Sequence, residues 1–269
     1  MSSTSHKAES STLSLINSSG VVYVELNRPE VNNAFDDQLI KELIETFETL
    51  SHDDECLMAV LGSRGKHFSA GADLRWMKNM AQMDYEQNRQ DALELARLMN
   101  TLYQFPKPLI GRVQGAAYGG ALGLIACCDI VIAEDTAQFC LSEVKLGLSP
   151  AVISPFVLNA IGSRQGAYYF LTADRFDSET AKNIHLIHQI CESGKLDAEV
   201  KQMTEKLLSN GPAALRASKR LIRKWSEDQF SESLTQFTAE LIASLRVSEE
   251  GQEGMTAFFE KRPPAWQKR

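Results

Sequence analysis

KPLIGRVQGAAYGGALGLIACCDIVIAEDTAQFCLSEVKLGLSP, Lys107 to Pro150, decides the architecture. Pro108–Val113 reads as a buried strand that runs into Gly115, Gly119 and Gly120. A helix-like run follows from Ala121 to Cys128, then a second apolar run from Ile130 to Ala133. Glu143 stands alone in the uncharged patch FCLSEV. A strand that feeds a helix through glycines presents bare backbone N–H groups to a pocket. Such groups can hold an oxygen that gains negative charge, and an isolated acid beside them can move protons. Tight turns and close helix–strand packing would explain the same glycines.

Outward from this stretch, strand, small-residue loop and helix recur, which predicts an α/β fold. Leu13–Ile16 and Val21–Leu26 flank Asn-Ser-Ser-Gly and read as a hairpin. Asp36 is placed to cap a helix carrying Leu39, Ile40, Leu43, Ile44, Phe47 and Leu50 at helical spacing. Leu57–Leu61 is an apolar strand that opens into the glycine loop Gly62–Asp73, and residues 84–105 look helical up to Pro106 and Pro108. Beyond Pro150 the pattern is helical: Ser154–Ile161, Arg164–Leu171, Ser178–Asn183, Ala198–Leu208, Pro212–Trp225, Phe230–Leu245 and Glu249–Glu260. The expected organisation is a disordered leader over 1–12, an α/β core over 13–195 and a helical region over 196–269.

The chain has 269 residues, 43% of them hydrophobic, enough to bury a substantial core. Its net charge of −7 and the lack of a basic run disfavour nucleic acid and anionic membrane as partners. Cys56, Cys127, Cys128, Cys140 and Cys191 form no C-x-x-C pair, and with no apolar leader this predicts a reduced, cytoplasmic chain. His185 and His188 lack further ligands, so no metal is expected.

A second stretch, GKHFSAGADL from Gly65 to Leu74, is another strand followed by a small-residue loop. Together with the Lys107–Ala133 stretch, the opening LNRPEVNNAF and the closing FFEKRPPAW, it resembles the enoyl-CoA hydratase (crotonase) superfamily over about Leu13 to Trp266. The resemblance implies a spiral of ββα units and a C-terminal helical region that builds trimers, often paired into hexamers. It implies an acyl-CoA substrate, with coenzyme A part of the substrate and no separate cofactor. It puts two amides that polarise the thioester carbonyl at Ala70 and Gly120, and the CoA handle along Arg28, Lys66, Ala72, Asp73, Leu74 and Lys261.

Water-adding relatives usually carry two glutamates. One matches Glu143; the other falls on Gly123 and is missing. The segment LGLSPAVISPFV also replaces the glycine-rich segment that most relatives have there. These departures resemble a bacterial subgroup holding the methylglutaconyl-CoA hydratases of leucine breakdown and the isohexenylglutaconyl-CoA hydratases of acyclic terpene breakdown. A single-glutamate isomerase is the competing reaction. RNA binding, found in one eukaryotic relative, is disfavoured by the acidic balance.

Overall fold

The protein is described by a computed structural model that covers residues 12–227 and 232–268. The leader expected to be disordered lies outside the described residues up to position 11. Thr12 is buried, and its hydroxyl donates to Glu42.

Strands β1 (Leu13–Ser18) and β2 (Val21–Leu26) form the expected hairpin. Its two loop residues, Ser19 and Gly20, have φ of 52° and 86°. That is the turn whose twist matches the strands it joins. Helix α1 (Asp37–His52) begins where the Asp36 carboxylate accepts the Leu39 N–H at 2.9 Å. It buries the predicted apolar face, and Phe47 meets Phe105 edge-on at 5.2 Å. Strand β3 (Met58–Ser63) is buried along its whole length, as a strand covered on both faces must be. Two helices follow: α2 (Leu74–Met80) and α3 (Tyr85–Tyr103), the latter opened by a capping box of Asp84 and Gln87.

The central stretch gives β4 (Leu109–Val113), β5 (Ala116–Tyr118), α4 (Gly120–Ala126), β6 (Ile130–Glu134) and β7 (Gln138–Cys140). Then come α5 (Ser154–Thr172), β8 (Phe176–Asp177), α6 (Ser178–Asn183) and β9 (Gln189–Cys191). Helix α5 breaks at Gly162 (φ 74°, ψ 159°), which accounts for two helical runs in the sequence. Six strands make the main sheet in the order β1-β2-β3-β4-β6-β9, parallel except for the hairpin. A small sheet, β5-β7-β8, forms a second layer. Isolated pairing of Ser69 with Ala117 adds the 66–70 loop to its edge. Long strand, short strand, helix is thus the repeating unit.

The first compact unit comprises the described residues up to Phe105 together with Leu109–Val200. The second comprises Pro106–Pro108 and the residues from Lys201 onward, so the division falls inside α7 (Leu196–Leu208). In the second unit, α8 (Pro212–Glu227) is capped from a distance: Glu250 accepts the Ala213 and Ala214 N–H groups at 2.9 and 2.8 Å. Helices α9 (Glu232–Val247) and α10 (Glu249–Glu260) complete it. Residues 230–231 of the predicted Phe230–Leu245 helix lie outside the described residues. The Lys219 ammonium donates to the Lys107 carbonyl at 2.8 Å, which ties Pro106–Pro108 to this unit.

Candidate active site

Three loops meet at one place. The Tyr118 N–H donates to Ser69 O (3.0 Å) and the Ser69 N–H to Ala116 O (3.1 Å). The Gly119 N–H donates to Cys140 O at 2.9 Å, which brings in the end of β7 and, three residues on, Glu143. Gly119 has φ 55° and ψ −125°, a conformation that side chains resist. A Cβ there would sit 3.2 Å from Glu143 Oε1 and 4.0 Å from Gly71 Cα. The two glycine loops and the acid picked out in the sequence are therefore neighbours.

Glu143 opens a short 3₁₀ turn, Glu143–Leu146. Its Oε2 is buried and has no hydrogen-bond partner among the described residues. Burial pushes its pKa up, only partly offset by a backbone N–H. A carboxyl kept from solvent and spared of partners holds its proton closer to neutral pH than usual, which suits proton transfer.

Of the two amides named in the sequence, one is already hydrogen-bonded within the chain. The Ala70 N–H is already spent on Asn32 O at 3.0 Å. Two residues later, Ala72 pairs with Phe35 in a parallel bridge. The bonds of that bridge use Gly71 O and the Asp73 N–H, both to Phe35 at 2.8 Å. Alternation along an extended segment then turns the Ala72 N–H the other way. It has no acceptor among the described residues, and neither has the Gly120 N–H at the first turn of α4. Gly120 itself does not demand glycine, because a Cβ would meet only the Phe35 ring at an ordinary 3.7 Å.

A cavity of about 880 Å³ runs beside these loops, lined by Arg28, Ala70, Ala72, Asp73, Leu74 and Trp76 among others. Gly120 and Glu143 are not on its wall, and neither is Lys66. Arg28 is more engaged than a surface cation. It donates to Ala34 O (2.6 Å) and pairs with Asp36 (2.8 Å) and Asp73 (3.1 Å). For Asp73, burial pulls the pKa up. The Arg75 and Trp76 N–H groups and Arg28 outweigh that and hold it below the usual carboxylate range. Lys261 belongs to the second unit, where it is the exposed, left-handed cap of α10 (φ 53°). The missing-acid position, Gly123, is buried in α4.

Two residues that hold the loops together were not singled out in the sequence. Asn33, fully buried and left-handed at φ 54°, donates to Arg64 O (2.8 Å) and His67 O (2.9 Å) and accepts the Arg28 N–H (2.8 Å). His67 Nδ1 accepts the Ala116 N–H at 3.0 Å. Burial, and then the Lys66 charge, lower the His67 pKa and keep that nitrogen an acceptor. The repeated Asn in LNRPEVNNAF hinted at a tight loop, but the two carbonyls to which Asn33 donates lie more than thirty residues away.

No group of three or more metal-ligating side chains occurs among the described residues. His188 Nδ1 accepts the Val131 N–H at 3.0 Å, a structural role. None of the five cysteines forms a disulfide in the structure. No described helix is long and apolar enough to cross a membrane.

The sequence model of the Enoyl-CoA hydratase/isomerase family matches residues 17–269. The chain belongs to that family. The fold described above is accordingly the crotonase fold, with its helical C-terminal region. The protein is an enoyl-CoA hydratase-type lyase. A crystal structure of an enoyl-CoA hydratase from Shewanella pealeana is 50% identical, with a TM-score of 0.91 over 95% of this chain and 96% of that one. A mitochondrial enoyl-CoA hydratase of Pongo abelii is 32% identical over 89% of this chain and 81% of its own. The 2,3-dehydroadipyl-CoA hydratase of Escherichia coli is 29% identical over 91% and 94%.

Proposed function

We propose that this member of the family adds or removes water at the double bond of a branched glutaconyl-CoA. The favoured pair is 3-methylglutaconyl-CoA and 3-hydroxy-3-methylglutaryl-CoA, in leucine degradation. The observation that carries the reading is the Glu143 carboxyl, buried with an unpartnered oxygen beside Gly119 and the meeting point of two glycine loops.

In this reading the thioester carbonyl accepts from the Ala72 and Gly120 N–H groups. Enolate charge builds on that oxygen as the α-carbon gains or loses its proton. Fixed donors stabilise it by about 3–4 kcal/mol each where comparable groups have been removed. Ala72 takes the place first given to Ala70 because its N–H is the one without an acceptor. Glu143 delivers the proton to the α-carbon. The CoA moiety lies along Arg28, Ala72, Asp73 and Leu74 on the cavity wall, with Lys66 and, from a neighbouring copy of the chain, Lys261 as candidate phosphate contacts. The likeness to a hydratase named for 2,3-dehydroadipyl-CoA, an acid-bearing enoyl-CoA, supports a substrate with a distal carboxylate. The working form is a trimer or hexamer of identical chains in the cytoplasm.

Isohexenylglutaconyl-CoA is the alternative substrate. A second reaction, double-bond migration by Glu143 alone, is favoured by Gly123 standing where a second acid would be. Purified protein presented with a panel of enoyl-CoAs, followed by loss of the enoyl-thioester absorbance, separates these. Rapid loss with 3-methylglutaconyl-CoA supports the leading reading, and double-bond migration without hydration replaces it.

A further inference from the structure

Two departures from the family pattern, Gly123 and the segment PAVISPFV, are the two halves of one packing contact. A Cβ built on Gly123 would lie 2.4 Å from Ile153 Cγ2, 2.9 Å from Ile153 Cβ and 2.9 Å from Met99 Sδ. Ile153 is 2% exposed and Met99 fully buried, so neither side chain has free space to retreat into. Ile153 sits at the N-terminal cap of α5, directly after the SPAV run, and points its branched side chain at α4. The space where a residue-123 side chain would start is therefore already filled by hydrocarbon. Gly119, the N-cap of α4, and Gly123 are four residues apart, and Glu143 meets the first as Ile153 meets the second. No charged neighbour contributes to the shift of Glu143, as a second carboxylate beside it would.

We propose that Ile153 is the specificity-determining residue of this site: by filling the space over Gly123 it excludes the second, water-holding carboxylate, so that the enzyme hydrates only enoyl-CoAs that bring a carboxylate of their own. The inference rests on the hydratase reading above. In the step that follows, protonated Glu143 gives its proton to the α-carbon. The substrate's distal carboxylate takes a proton from water as the water oxygen bonds the β-carbon. The C=C pair of electrons becomes the new C–H bond. One water is consumed, Glu143 is left ionised and the product's distal acid protonated, and that proton returns to Glu143 through solvent before the next turnover. A branched hydrocarbon side chain where a carboxylate would be offers a water no hydrogen bond, which is why the acid must travel with the substrate.

The test compares wild type, Gly123→Glu, Ile153→Gly and the double variant. Each is measured for melting temperature and for kcat/KM of hydration of trans-glutaconyl-CoA and of crotonyl-CoA, which lacks the acid. A wild-type preference for glutaconyl-CoA of about 100-fold or more is expected, the size of effect a positioned base supplies. Gly123→Glu alone should melt several degrees lower or fail to fold, since it drives atoms into Ile153. Adding Ile153→Gly should raise the melting temperature above that of the single variant, because it removes the nearest clash and leaves a void into which Met99 can shift. It should also shrink the substrate preference to under about tenfold, because the installed carboxylate then serves both substrates. Gly123→Glu melting like wild type would overturn the proposal, as would a folded double variant that keeps the full preference or a wild type without one. If wild type hydrates neither compound but shifts their double bonds, the hydratase reading and the substrate preference built on it fall together. The melting temperatures still judge, on their own, whether Ile153 closes the space.

Discussion

The asparagine-rich loop that holds Asn33 and the glycine-rich loop that holds Gly119 both lead from a strand into a helix, yet they end in opposite states. Around Asn33 the groups that tie the loops together are matched: the amide makes three bonds, His67 accepts the Ala116 N–H, and Arg28 is shared between Asp36, Asp73 and Ala34 O. Around Gly119 the valences are left open: Glu143 Oε2 lacks a partner, and the Ala72 and Gly120 N–H groups lack acceptors among the described residues. Unmatched buried polar groups cost stability, so a fold keeps them where a ligand will match them. The saturated loop is scaffold, and under the proposed function the unsaturated one carries the chemistry.

That contrast breaks first, if it breaks, at Glu143. Glu143→Gln keeps the shape and removes the titrating group, so turnover should fall by about 10²–10⁴-fold while CoA affinity measured by calorimetry is retained. A variant that keeps more than about a tenth of wild-type activity would hand the proton to another residue. Gly119→Ala comes next. Its φ of 55° with ψ −125° strains any side chain, and the added Cβ crowds Glu143 Oε1. A stability loss of about 1–3 kcal/mol in urea is expected, together with reduced turnover. Gly120→Ala, with ordinary helical geometry and room beside Phe35, should leave stability near wild type; equal damage at both glycines would erase the distinction drawn between them.

On the scaffold side, Asn33→Ala should cost about 1–3 kcal/mol by denaturant titration, since it strands buried groups at Arg28, Arg64 and His67. No measurable loss would mean that this loop is not held as described. The smallest effect sharpens the comparison from the other direction. The Glu143 pKa is raised in the folded protein, so below the ordinary glutamate range it carries no penalty. As pH rises through that range and up to the folded value, the native state holds the extra proton, and wild-type stability falls. Glu143→Gln should therefore match wild type in acid and melt progressively higher than it towards neutral pH. Parallel curves would show that Glu143 is not strained by burial.

Much of the fold was legible in letters. The α1 face, the Asp36 cap, the hairpin and both ends of α6 and α10 follow from periodicity and from local capping chemistry. The short strands β5, β7 and β8 did not show, because two or three residues carry no readable alternation and are strands only through their neighbours. Helix α2 was hidden for a related reason: its seven residues bury no side chain fully and so leave no apolar stripe.

By itself the sequence determined which groups the site could own: one acid, two glycine loops, and no acid at position 123. These are matters of residue type, which folding cannot change. Only the tertiary structure decided which groups are available. Ala70 and Ala72 look alike as letters, but Asn32 claims the first N–H and leaves the second open. Gly123 looks like an empty place, but Ile153, thirty residues on, fills it. Hydrogen-bond satisfaction and packing are properties of pairs brought together by the fold, and neither partner's local sequence records the other.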